Sequence, residues 1–300
     1  MVTEKVALVT GASGFTGRHI VPLLRDRGFR VVGLSSSASE DADSLLCDLG
    51  DLDALRDIVR RVQPTHVIHL AALTFVQHGD QRAFYDVNVF GTVNLLSALD
   101  ALPLAPAKVL IASSANVYGI PAVETIDERV CPSPVNHYAC SKLAMECMLR
   151  NWFERIPIIV TRPFNYTGPG QDGRFLIPKI VGHHKRHAAR IELGNLDISR
   201  DFSDVQDVAR AYADLLECSA RSCTVNICSG NEISLRQVLR IMSDIAGYAI
   251  DVKVNPALVR ANEISRLKGS NALLRQIISY EPSRSFSETL QAMYQEFSDG

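Results

Sequence analysis

Apolar residues along the chain collect in short unbroken runs rather than in alternation. Val6–Thr10, Phe29–Leu34, Ser44–Cys47, His66–Ala71, Lys108–Ala112, Pro157–Thr161 and Cys223–Ile227 are apolar or β-branched nearly throughout, as strands covered on both faces are. Between them the apolar positions adopt helical spacing, over Arg18–Arg27, Ala54–Val62, Gln81–Asp100 and Tyr138–Trp152. Strand–helix–strand repetition predicts right-handed crossovers and a doubly wound parallel sheet, an α/β fold. Beyond residue 165 the texture changes: Gly168-Pro169-Gly170-Gln171-Asp172-Gly173 reads as loop and the later helices are shorter. The expected division is a nucleotide-binding core over residues 1–165, then a smaller substrate-binding domain over 166–300 that returns some elements to the sheet.

Composition narrows the function. A chain of 300 residues with 47% hydrophobic and 21% charged residues can bury a large core. A net charge of −2 gives no electrostatic ground for adhesion to nucleic acid or to an anionic membrane. No apolar run approaches the length of a membrane span, and Met1–Lys5 leads straight into the first strand without the layout of a signal peptide. A cytoplasmic location is expected. The seven cysteines include Cys140 and Cys147 on one helix and Cys218, Cys223 and Cys228 five apart. None of these spacings is that of a metal pair, so the thiols are expected to be free and to act as small apolar side chains.

Two constellations carry chemistry. Gly11-Ala12-Ser13-Gly14-Phe15-Thr16-Gly17 stands between the first strand and the first helix, the context that makes a glycine triplet a dinucleotide-binding loop. Gly11 permits the tight turn, Gly14 the approach of a pyrophosphate, and Gly17 close packing of helix on sheet, while the helix N-terminus presents free N–H groups to phosphate. The end of the second strand, where a carboxylate would bind a ribose 2′-hydroxyl, reads Leu34-Ser35-Ser36-Ser37, with no acid before Glu40. Hydroxyls at Ser35 and Ser36, with Arg18 nearby, favour NADP(H), with NAD(H) left open. The second constellation is Tyr138-Ala139-Cys140-Ser141-Lys142, downstream of Ser113-Ser114 at the end of a strand. Residues four apart share a helix face, so Tyr138 and Lys142 point into one site. Reducing a ketone by hydride places charge on its oxygen, and a phenol whose pKa is depressed by a neighbouring ammonium relays the proton. Strand alternation turns Ser113 away from the face of Ser114.

The G-x-x-G-x-x-G spacing, the YxxxK pair and the serine before it resemble the extended short-chain dehydrogenase/reductases, the NAD-dependent epimerase/dehydratase family, which have a Rossmann core. The resemblance spans the chain through Asn88-Val89-Phe90-Gly91-Thr92, Arg162-Pro163-Phe164-Asn165, Arg200-Asp201-Phe202 and Asn226-Ile227-Cys228-Ser229-Gly230. It is strongest, from Glu192-Leu193-Gly194-Asn195-Leu196-Asp197 to Lys268-Gly269-Ser270-Asn271, with reductases that convert GDP-4-keto-6-deoxymannose to GDP-rhamnose. The resemblance implies catalytic roles for Ser114, Tyr138 and Lys142. It implies cofactor contacts from Gly11, Ser13, Gly14, Phe15, Thr16, Gly17, Ser35, Ser36, Asp48, Leu49, Leu70, Ala71, Ala72 and Asn88, together with Tyr138 and Lys142. On the side of a nucleotide-linked sugar it implies Thr74, Ser114, Asn165, Arg200, Arg260 and Glu263, the last two also being readable as a surface ion pair. Asp201 is expected to order its loop.

Departures matter too. Dehydratases of the family carry an acidic pair directly after the serine, and here that stretch is Ala115-Asn116. Without a carboxylate there is no agent for eliminating water across the sugar ring. A 4-epimerase needs only the same three catalytic residues and retained cofactor, and stays open, as does a dTDP-linked substrate giving a 6-deoxy-talose product. A binder without catalysis is disfavoured by the intact Ser114, Tyr138 and Lys142. Helices over Gln81–Asp100 and Tyr138–Trp152 match those that pair family members into homodimers through a four-helix bundle. Leu143, Met145, Met148 and Leu149 are the candidate apolar face, and could equally be core.

Overall fold

The computed structural model describes residues 4–37, 41–75, 79–259 and 264–297, to which counts and absences below refer. The first part of the chain runs β1 (Val6–Thr10), α1 (Phe15–Asp26), β2 (Arg30–Ser35), β3 (Ser44–Leu46), α2 (Leu52–Val62) and β4 (His66–His69). It continues with α3 (Gln81–Tyr85), a π turn (Asp86–Gly91), α4 (Thr92–Asp100), β5 (Lys108–Ala112), α5 (His137–Leu149) and β6 (Ile158–Pro163). Then follow β7 (Asn165–Thr167), α6 (Leu176–Lys185), β8 (Arg190–Leu193), β9 (Ser199–Asp204), α7 (Val205–Glu217) and β10 (Cys223–Ile227). The chain closes with β11 (Glu232–Ser234), α8 (Leu235–Ala246), β12 (Asp251–Val254), β13 (Arg266–Leu267), α9 (Ala272–Ile278) and α10 (Phe286–Glu296).

The apolar runs assemble into one parallel sheet of seven strands, in the order β3-β2-β1-β4-β5-β6-β10. Successive residues of each strand turn to opposite faces, and both faces are covered. Leu8, Val67, Val109 and Ile111 pack under α2, α4 and α5 against Leu55, Leu95, Leu99, Met145 and Leu149. Val9, Ile68, Leu110 and Ile159 pack under α1, α7 and α9 against Ile20, Leu24, Tyr212 and Leu274. The strand order reverses between β1 and β4, so the crevice at their C-terminal ends is the place where such sheets bind ligands. The fold is of Rossmann type.

A second lobe stands over that edge. Strands β11-β9-β13, with β7 beside β9, and the pair β12–β8 carry α6, α8 and α10 around a third core that includes Ile180, Leu193, Val238, Met242 and Leu290. Asp201 fastens this lobe to the main sheet. Buried on β9, its carboxylate accepts from Ser229 N–H and hydroxyl (2.9 and 2.7 Å), Gly230 N–H (2.9 Å) and Gly269 N–H (3.3 Å).

Several boundaries differ from the sequence reading, each for a local reason. Helix α1 begins at Phe15, not Arg18, with Gly14 as an N-cap that has no side chain to offer. Helix α2 begins at Leu52 because the Asp51 carboxylate caps it at Ala54 N–H. The segment 81–100 is not one α-helix: the π turn interrupts it at Asp86–Gly91. Strand β4 ends at His69, leaving Leu70 and Ala71 as extended loop. Of the candidate apolar face, Met145 and Leu149 are core residues, because α5 turns that side to the sheet. Leu143 is half-buried beside a small cluster around Tyr118 and Phe164, and Met148 is 41% exposed. Arg260 and Glu263 lie outside the described residues.

Asp201→Ala strands four donors at once, one buried and three part-buried, each costly to leave without a partner. We expect a loss of about 3 kcal/mol in stability, read by urea unfolding; a loss near zero would remove Asp201 as the fastening of the second lobe.

Candidate active site

The C-terminal end of β5 is laced to α5 residue by residue. Asn136 caps α5 by accepting from Ala139 N–H (2.9 Å), which fixes the helix start two residues before Tyr138. The face of α5 turned to β5 then carries Tyr138, Lys142 and Glu146 at intervals of one turn. The Ser114 hydroxyl lies close enough to the Tyr138 phenol to favour its ionised form. Lys142 Nζ donates to the Ala112 carbonyl at 2.8 Å. Ser113, just past the end of β5, is not turned away from α5 as alternation suggested: its hydroxyl donates to Glu146 Oε1 on the same helix face at 2.5 Å. Ser114, Tyr138, Lys142 and Glu146 are all buried.

Burial governs the electrostatics. It pushes the Tyr138 phenol up to about 12, with the Ser114 hydroxyl opposing it. It pulls Lys142 down to about 8, with the Glu146 charge opposing it. The expected depression of the phenol by Lys142 is therefore not a property of the chain alone. Desolvation disfavours the phenolate, and the ammonium is directed at a carbonyl.

The glycine loop meets the same edge. Gly11 is left-handed at φ +69°, and a Cβ on it would lie 2.9 Å from Ala71 N. A Cβ on Gly17 would lie 2.3 and 2.4 Å from the Ala12 and Gly11 carbonyls, so only glycine lets α1 sit on the sheet. Helix α1, like α4, α6 and α9, has no side chain accepting at its N-terminus, but it alone of these follows the glycine loop. Its first-turn N–H groups are left for an anion, and a pyrophosphate fits that cradle. Ser13 and Ser35 hydroxyls lie 3.2 Å apart, with Ser37 N–H donating to Ser35, while Arg18 points at the Gly170 carbonyl (2.7 Å). The floor is held by two buried polar groups. Asn88 pairs with both the N–H and the carbonyl of Leu73 (2.9 and 3.2 Å) and donates to Ser141 on α5 (3.0 Å). His69, driven down to about 3 by burial and so neutral, bridges Thr10 (2.7 Å) and Thr92 (2.8 Å). Thr10 in turn accepts from Ala71 N–H (3.2 Å), which sets the Leu70-Ala71-Ala72 segment beside Gly11. Asp48 is exposed and caps Gly50 N–H (2.8 Å), and the Leu49 carbonyl accepts from Asn94 (2.9 Å).

Between the lobes is a cleft of about 510 Å³. Its wall includes Asn116 and Asn136, each two residues along the chain from Ser114 or Tyr138, while Ser114, Tyr138 and Lys142 are buried and do not themselves line it. Thr74, Asn165 and Arg200 line it, as expected for substrate-side residues, and so do Tyr166, Arg174 and Lys179, which the sequence reading missed. Tyr166 stacks on Phe15 (6.0 Å between centroids) and its hydroxyl lies 2.8 Å from that of Thr16, joining the glycine loop to the cleft. Arg174 sits over the Phe75 ring (5.5 Å) and pairs with Asp172 (2.8 Å). The signal for these residues was weak, because Arg174 sits in a loop and Lys179 on a helix with no motif around it. No described residue lining the cleft is a carboxylate, and three are cations.

A Rossmann sheet, a glycine loop facing an uncapped helix, and a buried Ser–Tyr–Lys group define a short-chain dehydrogenase/reductase of the epimerase/dehydratase kind. A family model described as GDP-mannose 4,6 dehydratase matches residues 8–293, and the chain belongs to that family. Among curated relatives it is 36% identical to a GDP-6-deoxy-D-talose 4-dehydrogenase of Aggregatibacter actinomycetemcomitans, over 90% of each chain. It is also 36% identical to a GDP-6-deoxy-D-mannose reductase of Pseudomonas aeruginosa, over 95% of this chain and 94% of that one. Among solved structures, a proposed epimerase of Burkholderia cenocepacia is 44% identical with a TM-score of 0.91, over 98% of this chain and 97% of that one. The P. aeruginosa protein RMD in complex with NADPH is 34% identical with a TM-score of 0.86, over 97% of this chain and 98% of that one.

Proposed function

We propose that this chain is a sugar-nucleotide 4-ketoreductase that reduces the C4 keto group of GDP-4-keto-6-deoxy-D-mannose to give GDP-D-rhamnose. The observation that carries the reading is the buried Ser114–Tyr138–Lys142 group together with a cleft whose described lining has three cations and no carboxylate. Two relatives named for redox chemistry on GDP-6-deoxy sugars, one of them at position 4, each matched over nine tenths of the chain or more, support it. Their sugars differ in configuration at C4, so a talose-type product is the variant of the same reaction. A dTDP-linked substrate is the less favoured form. NADP(H) is the preferred cofactor and NAD(H) an accepted one, on the serines at the end of β2 and the NADPH held by the P. aeruginosa structure.

The nicotinamide, when bound, supplies the hydride, and the chain does the rest. Gly11, Gly14, Gly17 and the α1 N-terminus hold the pyrophosphate, with Ala71, Ala72 and Asn88 setting the floor. Arg174, Lys179 and Arg200 offset the charge of the substrate diphosphate, and Asn165 donates to it. Ser114 hydrogen-bonds the C4 oxygen, where charge develops, an oxyanion-type role. Tyr138 passes its proton to that oxygen, and the resulting phenolate is stabilised by Ser114 and the ammonium one helical turn away. Among the described residues lining the cleft no carboxylate is present to remove the C5 proton and protonate a leaving hydroxyl, so dehydration, for which the family is named, is not proposed. The likeness to a proposed epimerase favours 4-epimerisation as the second reading.

Pairing into a homodimer through the segment 81–100 and α5 belongs to the same proposal, supported by Phe90 (59% exposed) and Met148 (41% exposed) on those elements. We place the protein in the cytoplasm; no described helix is long and apolar enough to cross a membrane.

Purified protein given GDP-4-keto-6-deoxy-D-mannose and NADPH should oxidise one cofactor per sugar, with the product configuration read by NMR. Turnover without net cofactor oxidation would favour the epimerase. Tyr138→Phe should reduce turnover by about a thousandfold or more while NADPH binding, followed by fluorescence, stays within about threefold; retained turnover would remove Tyr138 from the chemistry. In analytical ultracentrifugation the chain should sediment at about twice its 33.0 kDa, and a monomer at assay concentrations would contradict the pairing.

A further inference from the structure

Behind the site lies a buried charge cluster that the proposed reaction does not use. Glu146 and Arg162 form an ion pair with both side chains about 8% exposed, Arg162 Nη2 to Oε2 at 2.6 Å and Nε to Oε1 at 3.0 Å. Oε1 also accepts from Ser113 at 2.5 Å. The far side of Arg162 is held as well. Its guanidinium lies over the Tyr118 ring (4.8 Å), and the Tyr118 hydroxyl donates to Asn226 Oδ1 (2.7 Å). Burying an ion pair is at best neutral for stability, whereas a well-packed apolar pair would serve the core equally well. A carboxylate kept dry at that expense, one turn beyond Lys142 on the same helix face, has an electrostatic use.

We propose that Glu146 is a positioning residue: its carboxylate, pinned by Ser113 and Arg162, keeps the Lys142 ammonium charged and seated on the Ala112 carbonyl. The inference rests on the reading of Tyr138 and Lys142 given above. The geometry supports it twice. Ser113 follows Ala112 in the chain, so the bond that fixes Glu146 also fixes the carbonyl that receives Lys142. The pair is also asymmetric, since Glu146 shares the helix face of Lys142 while Arg162 reaches Glu146 from β6. The ionisable groups around Lys142 are Tyr138 and Glu146 on α5 and the neutral His69 at the end of β4. Arg162 and Tyr118 stand behind Glu146, with Glu128 behind Tyr118. The segment 81–100 contributes Tyr85 beside His137 and the exposed Arg82–Asp86 pair, toward the start of α5. Burial already draws Lys142 down to about 8, and the Glu146 charge is what opposes it. Without that charge a substantial part of the ammonium is lost at neutral pH.

The test is the titration of Lys142 itself. The chain has seven lysines, so the Cε resonance of Lys142 in protein labelled with 13C-lysine is assignable by its disappearance in Lys142→Arg. Glu146→Gln should move its midpoint at least ~1 pH unit lower and displace the basic limb of the kcat profile by the same amount. A purely structural role would lower kcat evenly across pH. Because an unpaired Arg162 threatens the fold, Glu146→Gln combined with Arg162→Met removes both charges and keeps the site neutral. This variant too should titrate lower than the native chain. A native midpoint in either variant, folded by circular dichroism, overturns the proposal. Failure of the native protein to oxidise NADPH with any keto-sugar nucleotide would instead strike the reading of the reaction, and leaves the titration to judge Glu146.

Discussion

The interaction on which the rest depends is the seam between the end of β5 and the inner face of α5. Three consecutive residues, Ala112, Ser113 and Ser114, each meet one residue of the helix: Lys142, Glu146 and Tyr138 in turn. A strand alternates its side chains with period two and a helix repeats its face with period near four. The seam therefore works only because Ser113 and Ser114 lie past the end of β5, free of its alternation, and the Ala112 backbone carbonyl supplies the third contact. If α5 slipped by one residue, no member of the group would meet its partner. The Asn136 cap and the two core residues Met145 and Leu149 fix that register from either end of the helix.

Around this seam the molecule is built to be dry and to be charged only where charge is held. His69 is kept neutral between two threonines, and Glu146 is matched by Arg162. The cleft carries its cations on the second lobe or on the loop leading into it, away from the phenol. A phenol near 12 and an ammonium near 8 are each displaced by burial toward their uncharged forms. Proton transfer in such a place answers strongly to any new charge brought close, because little water is present to screen it.

Much of this was legible from the sequence, and the reasons are physical. The parallel sheet showed because strands buried on both faces are mostly apolar, their few polar residues such as Thr10, His69 and Arg162 each having a partner, and the glycine loop showed because Gly11 and Gly17 stand where a Cβ collides with backbone. The Tyr138–Lys142 spacing is a direct consequence of helical periodicity. What depends on distant parts of the chain was not legible. The start of α1 was misplaced because its cap has no side chain to signal it. The π turn at Asp86–Gly91 leaves no mark in apolar spacing. Arg174 and Lys179 reach the cleft only through the placement of the second lobe. Met145 and Leu149 could be read as an outer face or as core, because α5 is apolar on both sides and periodicity alone does not say which side meets the sheet; they are core. Lysine's effect on tyrosine was overestimated because spacing conveys proximity but not desolvation.

The central claim is that Tyr138 is the proton donor, its phenolate disfavoured by burial in the chain alone and stabilised beside Ser114 and Lys142 once a nicotinamide cofactor occupies the site. Its most direct measurement is an ultraviolet difference titration of tyrosinate, native protein minus Tyr138→Phe, with and without NADP+. The account predicts that the difference signal, near pH 12 for the chain alone, moves down by about 2 pH units or more when NADP+ is bound. A midpoint that stays where it was in the presence of saturating NADP+ would contradict it.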